Sequence, residues 1–166
     1  MCIRDSNNQI ADMLVMALGH DFAGDGTLAS GIAVMDTALG ELLASSCGSL
    51  SGISDDGSGL SRGNARSARE FQELLRAMQT TDAGQRLADQ LPVGGVSGTL
   101  SRRFSADVGR VSAKTGTLRD GRALSGYAVT DSGRDVVFSI ITNGDRDVVA
   151  ASLPAIDALV TAALRS

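Results

Sequence analysis

The sequence predicts an α+β domain in which helices come first and a small antiparallel sheet with a closing helix comes last. Through the first half, apolar residues recur at helical spacing between capping residues and glycines. In the last third, three runs have the composition and alternation of β-strands. With 166 residues, 43% of them hydrophobic and 20% charged, the chain is long enough for one domain with a core. Helices followed by an antiparallel sheet are typical of α+β folds.

Four helices are predicted in the first ninety residues. The first is capped by Ser6, stopped by Gly19 and presents an apolar stripe of Ile10, Met13, Leu14, Ala17 and Leu18. The others cover residues 29–46, the stretch opened by the capping box Ser67-Ala68-Arg69-Glu70, and residues 83–90, which end before Pro92. Between the second and third helices, residues 49–64 are rich in Gly, Ser and Asp and predict a loop.

Three strands and a last helix are predicted after residue 100. The strands cover residues 110–117, 124–130 and 135–142, and the turn Asp131-Ser132-Gly133-Arg134 joins the last two in an antiparallel hairpin. Pro154 predicts the start of the final helix, because proline suits a first helical turn. Its apolar stripe is Ile156, Leu159, Val160, Ala163 and Leu164.

Composition excludes several classes of function. The net charge of −4 and the lack of a basic cluster beyond Arg102-Arg103 predict no nucleic-acid partner. The longest near-apolar run, residues 136–141, is too short to cross a bilayer, so no transmembrane segment is expected. The start of the chain also lacks the pattern of a signal peptide. His20 is the only histidine and cannot form a zinc pattern with two scattered cysteines, so no metal or cofactor is expected.

The first five residues stand apart from the rest. Met1-Cys2-Ile3-Arg4-Asp5 resembles the translation of a sequencing adapter. We therefore expect native sequence to begin near Ser6 or Asn7, the gene to have been cut upstream, and residues 6–166 to form the domain.

A single lysine marks the first strand. Fourteen of the fifteen basic residues are arginine, and a position that remains lysine in such a background indicates a need for a compact ammonium. Lys114-Thr115-Gly116 matches the K-T-G element that accompanies S-x-x-K and S-x-N in penicillin-interacting enzymes. An edge strand offers its backbone to an extended peptide, lysine attracts an anion, and threonine hydroxyls hold a carboxylate. Gly116 would let the substrate approach closely.

Two further motifs precede that strand. Ser6-Asn7-Asn8 fits S-x-N at a helix start, although a plain helix cap is the other interpretation. The run from Asp56 to Arg62 reads D-G-S-G-L-S-R and by composition alone would be a surface loop.

Together these motifs resemble the D-Ala-D-Ala carboxypeptidase/endopeptidase family, the class C low-molecular-mass penicillin-binding proteins. The resemblance rests on residues 6–12, 56–62 and 111–117, and D-G-S-G-L-S-R is its most specific part. It covers nearly all of the chain from Ser6 onward and implies the carboxy-terminal portion of the β-lactamase/DD-peptidase (penicillin-recognising) fold. It also implies a serine acyl-enzyme mechanism on the D-Ala-D-Ala bond of peptidoglycan stem peptides, with β-lactams as inhibitors. Such a protein would work in the periplasm or the extracytoplasmic cell envelope.

The resemblance implies roles for individual residues. Ser6 would belong to the proton-transfer network, and Asn8 would hold the substrate amide. Lys114 would supply electrostatic stabilisation. Thr115 and Thr117 would bind the terminal carboxylate, and the Thr117 N–H would form half of the oxyanion hole.

One family motif is missing. The nucleophile of the family lies in S-x-x-K, but the only lysine here is Lys114, with Val111 three residues before it and Ser112 two before it. We therefore expect the carboxy-terminal part of a catalytic domain, inactive when made alone. We also expect it to fold poorly, with apolar faces and a sheet edge left uncovered.

Other interpretations remain open at this point. A class A β-lactamase shares S-x-N and K-T-G, and a non-catalytic module could bind cell-wall peptides through the Lys114 strand. An in-frame S-x-x-K upstream would indicate the enzyme, and a genuine start codon near Met1 would indicate the module. A P-loop is excluded by Ala113 and Val108, where glycines are needed. An α/β-hydrolase is excluded because its histidine must follow the serine, and His20 precedes Ser61.

Overall fold

The computed structural model describes residues 6–46 and 48–166. They form two compact units, residues 6–81 and residues 82–166, and each is described by itself. The predicted adapter origin of residues 1–5 falls outside the described residues.

Three α-helices make up most of the first unit: α1 (Asn8–Leu18), α2 (Leu28–Ala44) and α3 (Ala68–Met78). The α-helical part of α1 ends at Leu18 as predicted, with Gly19 as its C-cap, but Gly19 keeps a right-handed helical conformation and does not break the helix. The chain continues from α1 into a π-helical turn, Gly19–Ala23, and leaves the helix at Gly24, whose φ is 81°. Gly19 serves close packing instead, because a Cβ there would lie 2.8 Å from the Gly31 nitrogen of α2.

The start and the buried face of α1 also differ from prediction. Asn7, not Ser6, is the helix cap, and its Oδ1 accepts a hydrogen bond of 3.1 Å from the Ile10 N–H. The helix buries Val15, because Gly31 allows the α2 backbone to approach that side. Four of the five residues of the predicted apolar stripe are exposed: Ile10, Met13, Leu14 and Ala17.

The capping box at α3 is half confirmed. Ser67 caps the helix by accepting from the Glu70 N–H at 3.1 Å. The Glu70 carboxylate turns away from the helix start and accepts from the N–H groups of Ser51 and Gly52 at 3.3 and 3.1 Å. It also pairs with Arg66, so α3 holds the segment at 51–52 in place.

The second unit holds the sheet: α4 (Asp82–Ala88), a 3₁₀ turn (Gly98–Leu100), β1 (Val111–Thr117), β2 (Gly121–Val129), β3 (Asp135–Asn143) and α5 (Arg146–Leu164). The strands are antiparallel in the order β1-β2-β3, which confirms the predicted hairpin between the last two. β2 begins at Gly121, three residues before its predicted start. In the register, Lys114 lies opposite Ser125 and Thr117 opposite Arg122.

The closing helix begins eight residues earlier than predicted. Pro154 lies inside α5, not at its first turn. A proline inside a helix leaves the carbonyl four residues before it without a helical donor, and here that residue, Ala150, is exposed to water. Val149 and Ile156, on either side of the proline, are both buried, so tertiary packing holds the helix together across it.

The core of this unit lies between α5 and one face of the sheet. By length and composition α5 could cross a membrane, contrary to the prediction that no segment is long enough. The pair formed by α1 with its π-helical turn and α2 passes the same test only if the two are counted as one span bent by 80°. Three buried residues of α5, Ile156, Val160 and Leu164, belong to the core. The core residues are Leu100, Phe104, Val111, Ala113, Leu124, Ala128, Ile156, Val160 and Leu164.

An ion-pair cluster fixes the end of α5 to the residues before β1. The Asp107 carboxylate is buried, with 4% of the residue exposed, and accepts from both Nη atoms of Arg165 at 2.7 and 3.0 Å. Arg110 contacts Asp107 at 3.3 Å and Asp131 at 2.6 Å. The hydrogen bonds from Arg165, followed by its charge and that of Arg110, hold the pKa of Asp107 below its ordinary value.

We predict that Gly126→Ala destabilises the protein. A Cβ at Gly126, in the middle of β2, would lie 2.6 Å from the Ala113 Cα of the neighbouring strand. The strands must separate to admit it, and we expect a loss of about 2–4 kcal/mol in the free energy of unfolding. Urea unfolding followed by far-ultraviolet circular dichroism measures this loss.

Gly40→Ala is the matched control for that variant. A Cβ at Gly40, inside α2, meets no atom within 4 Å, so the same substitution should raise helix stability by up to about 1 kcal/mol. Equal effects of the two substitutions would contradict the close approach of β1 and β2 at Gly126.

We predict that Asp107→Asn reduces the loss of stability in acid. The folded protein lowers the pKa of Asp107, so its carboxylate stabilises the fold above the unfolded pKa of about 3.9 and loses that effect as pH falls through the folded pKa. The variant should be less stable at neutral pH but should lose less between about pH 6 and pH 3. Thermal unfolding across that range measures both effects, and parallel curves for the two proteins would contradict the prediction.

Candidate active site

The outer edge of β1, away from β2, is covered along only part of its length. Residues 92–94 run beside the strand: the Pro92 carbonyl accepts from the Ala113 N–H at 3.0 Å, and the Gly94 N–H donates to the Val111 carbonyl at 2.8 Å. Among the described residues, no pairing along this edge extends beyond Ala113. The uncovered part of the edge therefore begins within the K-T-G segment.

Backbone alternation decides which groups face that edge. In an antiparallel strand every second residue directs its N–H and carbonyl to the same side. Because Val111 and Ala113 bond outward, Thr115 and Thr117 direct their N–H groups to the uncovered edge as well. An extended peptide could pair with these groups as one more strand.

Lys114 places its ammonium at the same edge. Its Nζ donates to the Thr115 carbonyl at 2.7 Å, and that carbonyl is one of the outward-facing groups. Lys114 shares its sheet face with Ser125 and Tyr127 and is half-buried. Burial lowers the pKa of the Lys114 ammonium from its ordinary value.

Thr115 has a polar neighbour that the sequence did not reveal. Its Oγ1 donates to the Thr99 Oγ1 at 2.9 Å, and Thr99 lies in the 3₁₀ turn 16 positions earlier. The sequence predicts no helix or strand at this position, and no local pattern identifies the partner of a hydroxyl so distant along the chain. Thr117, at the end of β1, is exposed.

Gly116 has a packing role in addition to the one predicted. A Cβ at Gly116 would lie 3.3 Å from the Ala123 Cβ of β2, closer than most side chains pack. A larger residue would press on β2 next to Thr115 and Thr117.

Ser6 and Asn8 lie together at the start of α1. Ser6 is half-buried and has a φ of 53°, a left-handed conformation uncommon outside glycine, and Asn8 is the first residue of the helix. Because Asn7 provides the cap, helix capping does not explain Ser6.

The D-G-S-G-L-S-R loop is organised by Asp56. Its carboxylate accepts from the N–H groups of Gly59, Leu60 and Ser61 at 2.7 to 3.0 Å and from the Asn64 side chain at 2.7 Å. Partial burial raises the pKa of Asp56, but the hydrogen bonds from Asn64 and from the loop N–H groups outweigh burial and leave the pKa below its ordinary value. A loop that its composition would make flexible is therefore held in one conformation.

The same loop is joined to the S-x-N helix. The Gly57 N–H donates to the Asp12 Oδ1 of α1 at 3.0 Å. Gly57 lies so close to that helix that a Cβ would be 2.6 Å from the Val15 Cγ2. Two of the three motifs therefore meet within residues 6–81.

The third motif lies in the other unit. Lys114, Thr115, Gly116 and Thr117 are on β1, whereas Ser6 and Asn8 are on α1. The roles that the resemblance implies require both sets of residues at one site, and that shared site stays a prediction. Within residues 6–46 and 48–166, no three His, Cys, Asp or Glu side chains form a group that could hold a metal ion.

Comparison with known proteins agrees with this arrangement of motifs. The model of the D-Ala-D-Ala carboxypeptidase 3 (S13) family matches residues 1–164. The chain belongs to this family. Membership confirms the resemblance drawn from the three motifs and favours this family over the class A β-lactamases.

Curated relatives carry names consistent with the family. A D-alanyl-D-alanine carboxypeptidase of Actinomadura sp. (strain R39) is 40% identical over 146 residues, which cover 84% of this chain and 26% of the relative. The D-alanyl-D-alanine carboxypeptidase DacB of Haemophilus influenzae is 30% identical over 152 residues, covering 86% of this chain and 30% of that protein. The chain thus spans roughly a quarter to a third of the length of these relatives.

Solved structures confirm the predicted fold. Penicillin-binding protein 4 (dacB) from H. influenzae superposes with a TM-score of 0.84 and 25% identity over 99% of this chain and 38% of that chain. A predatory endopeptidase from Bdellovibrio bacteriovorus, solved as its penicillin G acylated form, gives a TM-score of 0.76 at 19% identity over 98% of this chain and 43% of that chain. The chain therefore has the penicillin-recognising α+β fold over its described length.

We predict that the Lys114 side chain has a lower pKa than an ordinary lysine. Lys114 is the only lysine of the chain, so selective labelling of lysine with ¹³C at Cε gives one side-chain resonance. Because burial lowers its pKa, the midpoint should fall below the reference of about 10.4, and an added carboxylate ligand should raise it again.

The control for this titration is the same labelled chain in concentrated urea, where the lysine should titrate at its reference value. Identical midpoints in the folded and unfolded chains would contradict the burial of Lys114.

Proposed function

We propose that this chain forms the substrate-binding part of a serine-type D-Ala-D-Ala carboxypeptidase that acts on peptidoglycan stem peptides. The observation that carries the proposal is the uncovered edge of β1, where an ammonium, a hydroxyl and two N–H groups line one side of a strand. A stem peptide that ends in D-Ala-D-Ala offers an extended backbone and a terminal carboxylate, which match those groups. Family membership and the names of the relatives support the same substrate.

The reaction proposed is acyl transfer in two steps. A serine hydroxyl attacks the carbonyl of the D-Ala-D-Ala bond; the C–N bond breaks, the terminal D-alanine leaves with a proton, and an ester remains on the serine. Water then cleaves that ester and restores the hydroxyl. β-Lactams would acylate the same serine, and the Bdellovibrio endopeptidase that shares this fold has been solved in a penicillin G acylated form.

Residues of both units would take part. On β1, Lys114 would stabilise developing negative charge, Thr115 and Thr117 would bind the terminal carboxylate, and the Thr117 N–H would donate to the oxyanion. At the start of α1, Ser6 would relay protons and Asn8 would hold the substrate amide. Gly116 would keep the edge accessible to substrate. These assignments rest on motif positions, and the edge geometry of Thr115 and Thr117 supports them.

The nucleophile would come from outside these 166 residues. No S-x-x-K occurs in the sequence, because its one lysine follows Val111 at that spacing. We propose that residues 6–166 form the carboxy-terminal part of the catalytic domain and hydrolyse nothing at a useful rate alone. The family substrate would place the complete protein outside the cytoplasm.

Uncovered apolar surfaces support the proposal that a further part of the domain lies outside these residues. On α1, Met13 and Leu14 are 67% and 56% exposed. Beside β3, whose outer edge carries no described strand, an apolar gap of about 100 Å³ opens between Phe138 and Leu159. Chain outside these residues would bury both surfaces, and the fragment alone should be less stable than the complete domain.

We predict that a fluorescent penicillin labels the complete protein but not the isolated 166-residue chain. The complete protein supplies the serine, whereas the chain lacks S-x-x-K. Denaturing electrophoresis with fluorescence detection measures covalent labelling. A label on the isolated chain would refute the absence of a nucleophile, and an unlabelled complete protein would refute the proposed function.

Lys114→Ala should slow the acylation of the complete protein at least about 100-fold, because it removes the cation beside the reacting carbonyl. Arg134→Ala is the control, since it removes the same charge from the turn between β2 and β3, where the guanidinium contacts Ser132 and Ser166. Equal rates in the two variants would exclude the proposed role of Lys114.

A further inference from the structure

Thr99 lies in hydrogen-bond contact with a residue of the proposed carboxylate site. The Thr115 Oγ1 and Thr99 Oγ1 are 2.9 Å apart, a normal distance for two hydroxyls. Thr99 is exposed, so its hydroxyl faces the same solvent that a substrate would displace.

The turn that carries Thr99 is rigidly tied to β1. Leu100, the next residue, is fully buried in the core, and its carbonyl accepts from the Gly95 N–H at 3.0 Å. Gly94, which precedes Gly95 in the chain, donates its N–H to the Val111 carbonyl of β1. The position of the Thr99 hydroxyl is therefore set by the backbone and the core rather than by a mobile loop.

The two hydroxyls can share their protons in only a few ways. A hydroxyl has one hydrogen to donate and two lone pairs, whereas a carboxylate only accepts. If Thr115 donates to a substrate carboxylate, it cannot also donate to Thr99. The contact is kept only if Thr99 reverses its role and donates to the Thr115 Oγ1.

We propose that Thr99 is a positioning residue for recognition of the terminal carboxylate, acting through Thr115. In the bound state Thr99 donates to Thr115, and Thr115 donates to the carboxylate. Thr99 thereby fixes the rotamer of Thr115 and polarises its O–H bond, because successive hydrogen bonds strengthen one another. This inference rests on the proposed function, since it assigns Thr99 to the same site.

The test uses the complete protein and two peptides that end in D-Ala-D-Ala, one with a free carboxylate and one with a carboxamide. For Thr99→Val, which keeps the shape but removes the hydroxyl, KM for the free acid should rise about fivefold to tenfold with kcat nearly unchanged. The carboxamide should be cleaved as well as by wild type. Thr99→Ser, which keeps the hydroxyl, should restore the wild-type KM.

A double-mutant cycle separates positioning from a general effect on folding. In a Thr115→Val background, Thr99→Val should add less than a twofold change, because its only route to the carboxylate has been removed. Independent, multiplicative effects of the two substitutions would overturn the inference, and so would an equal loss with both peptides.

The same data distinguish this inference from the proposed function. If wild type prefers the free acid and Thr99→Val keeps the full preference, the role of Thr99 alone is overturned. If wild type does not prefer the free acid, carboxylate recognition by this edge and the role of Thr99 are both overturned.

Discussion

The partial covering of β1 is the constraint on which the proposed site depends. Two backbone hydrogen bonds to residues 92–94 pair the outer edge of β1 as far as Ala113. Among the described residues, no backbone pairing covers the edge beyond that point. Strand alternation then directs the N–H groups of Thr115 and Thr117 to the uncovered part. The segment that ends the covering continues into the turn with Thr99, so one stretch of chain limits the edge and provides a hydroxyl beside it.

The sheet was predictable because its signals are local. The alternation of residue types along each strand, together with the turn at Asp131-Ser132-Gly133-Arg134, predicted the bounds of all three strands to within a few residues. The start of α5 was not predictable in this way. Pro154 resembles a first helical residue, whereas the helix begins at Arg146 and already has a buried residue at Val149. Tertiary packing overrode a local preference there.

The site could be predicted in its residue types but not in its contacts. Short motifs identify Lys114, Thr115 and Thr117, yet the contact with Thr99 depends on how a distant turn packs on the core. The apolar stripe of α1 failed for a related reason. Periodicity finds a stripe with Met13 and Leu14, but the close approach allowed by Gly31 decides which side α2 covers.

The solitary lysine has a practical consequence for anyone who handles this protein. Amine-reactive reagents, including those for sensor-chip coupling, fluorescent tagging and reductive methylation before crystallisation, have one side-chain target among the 166 residues, Lys114. Because its Nζ lies against the Thr115 carbonyl, each of these chemistries would add bulk to the K-T-G strand itself. Attachment through other functional groups would leave that strand unmodified.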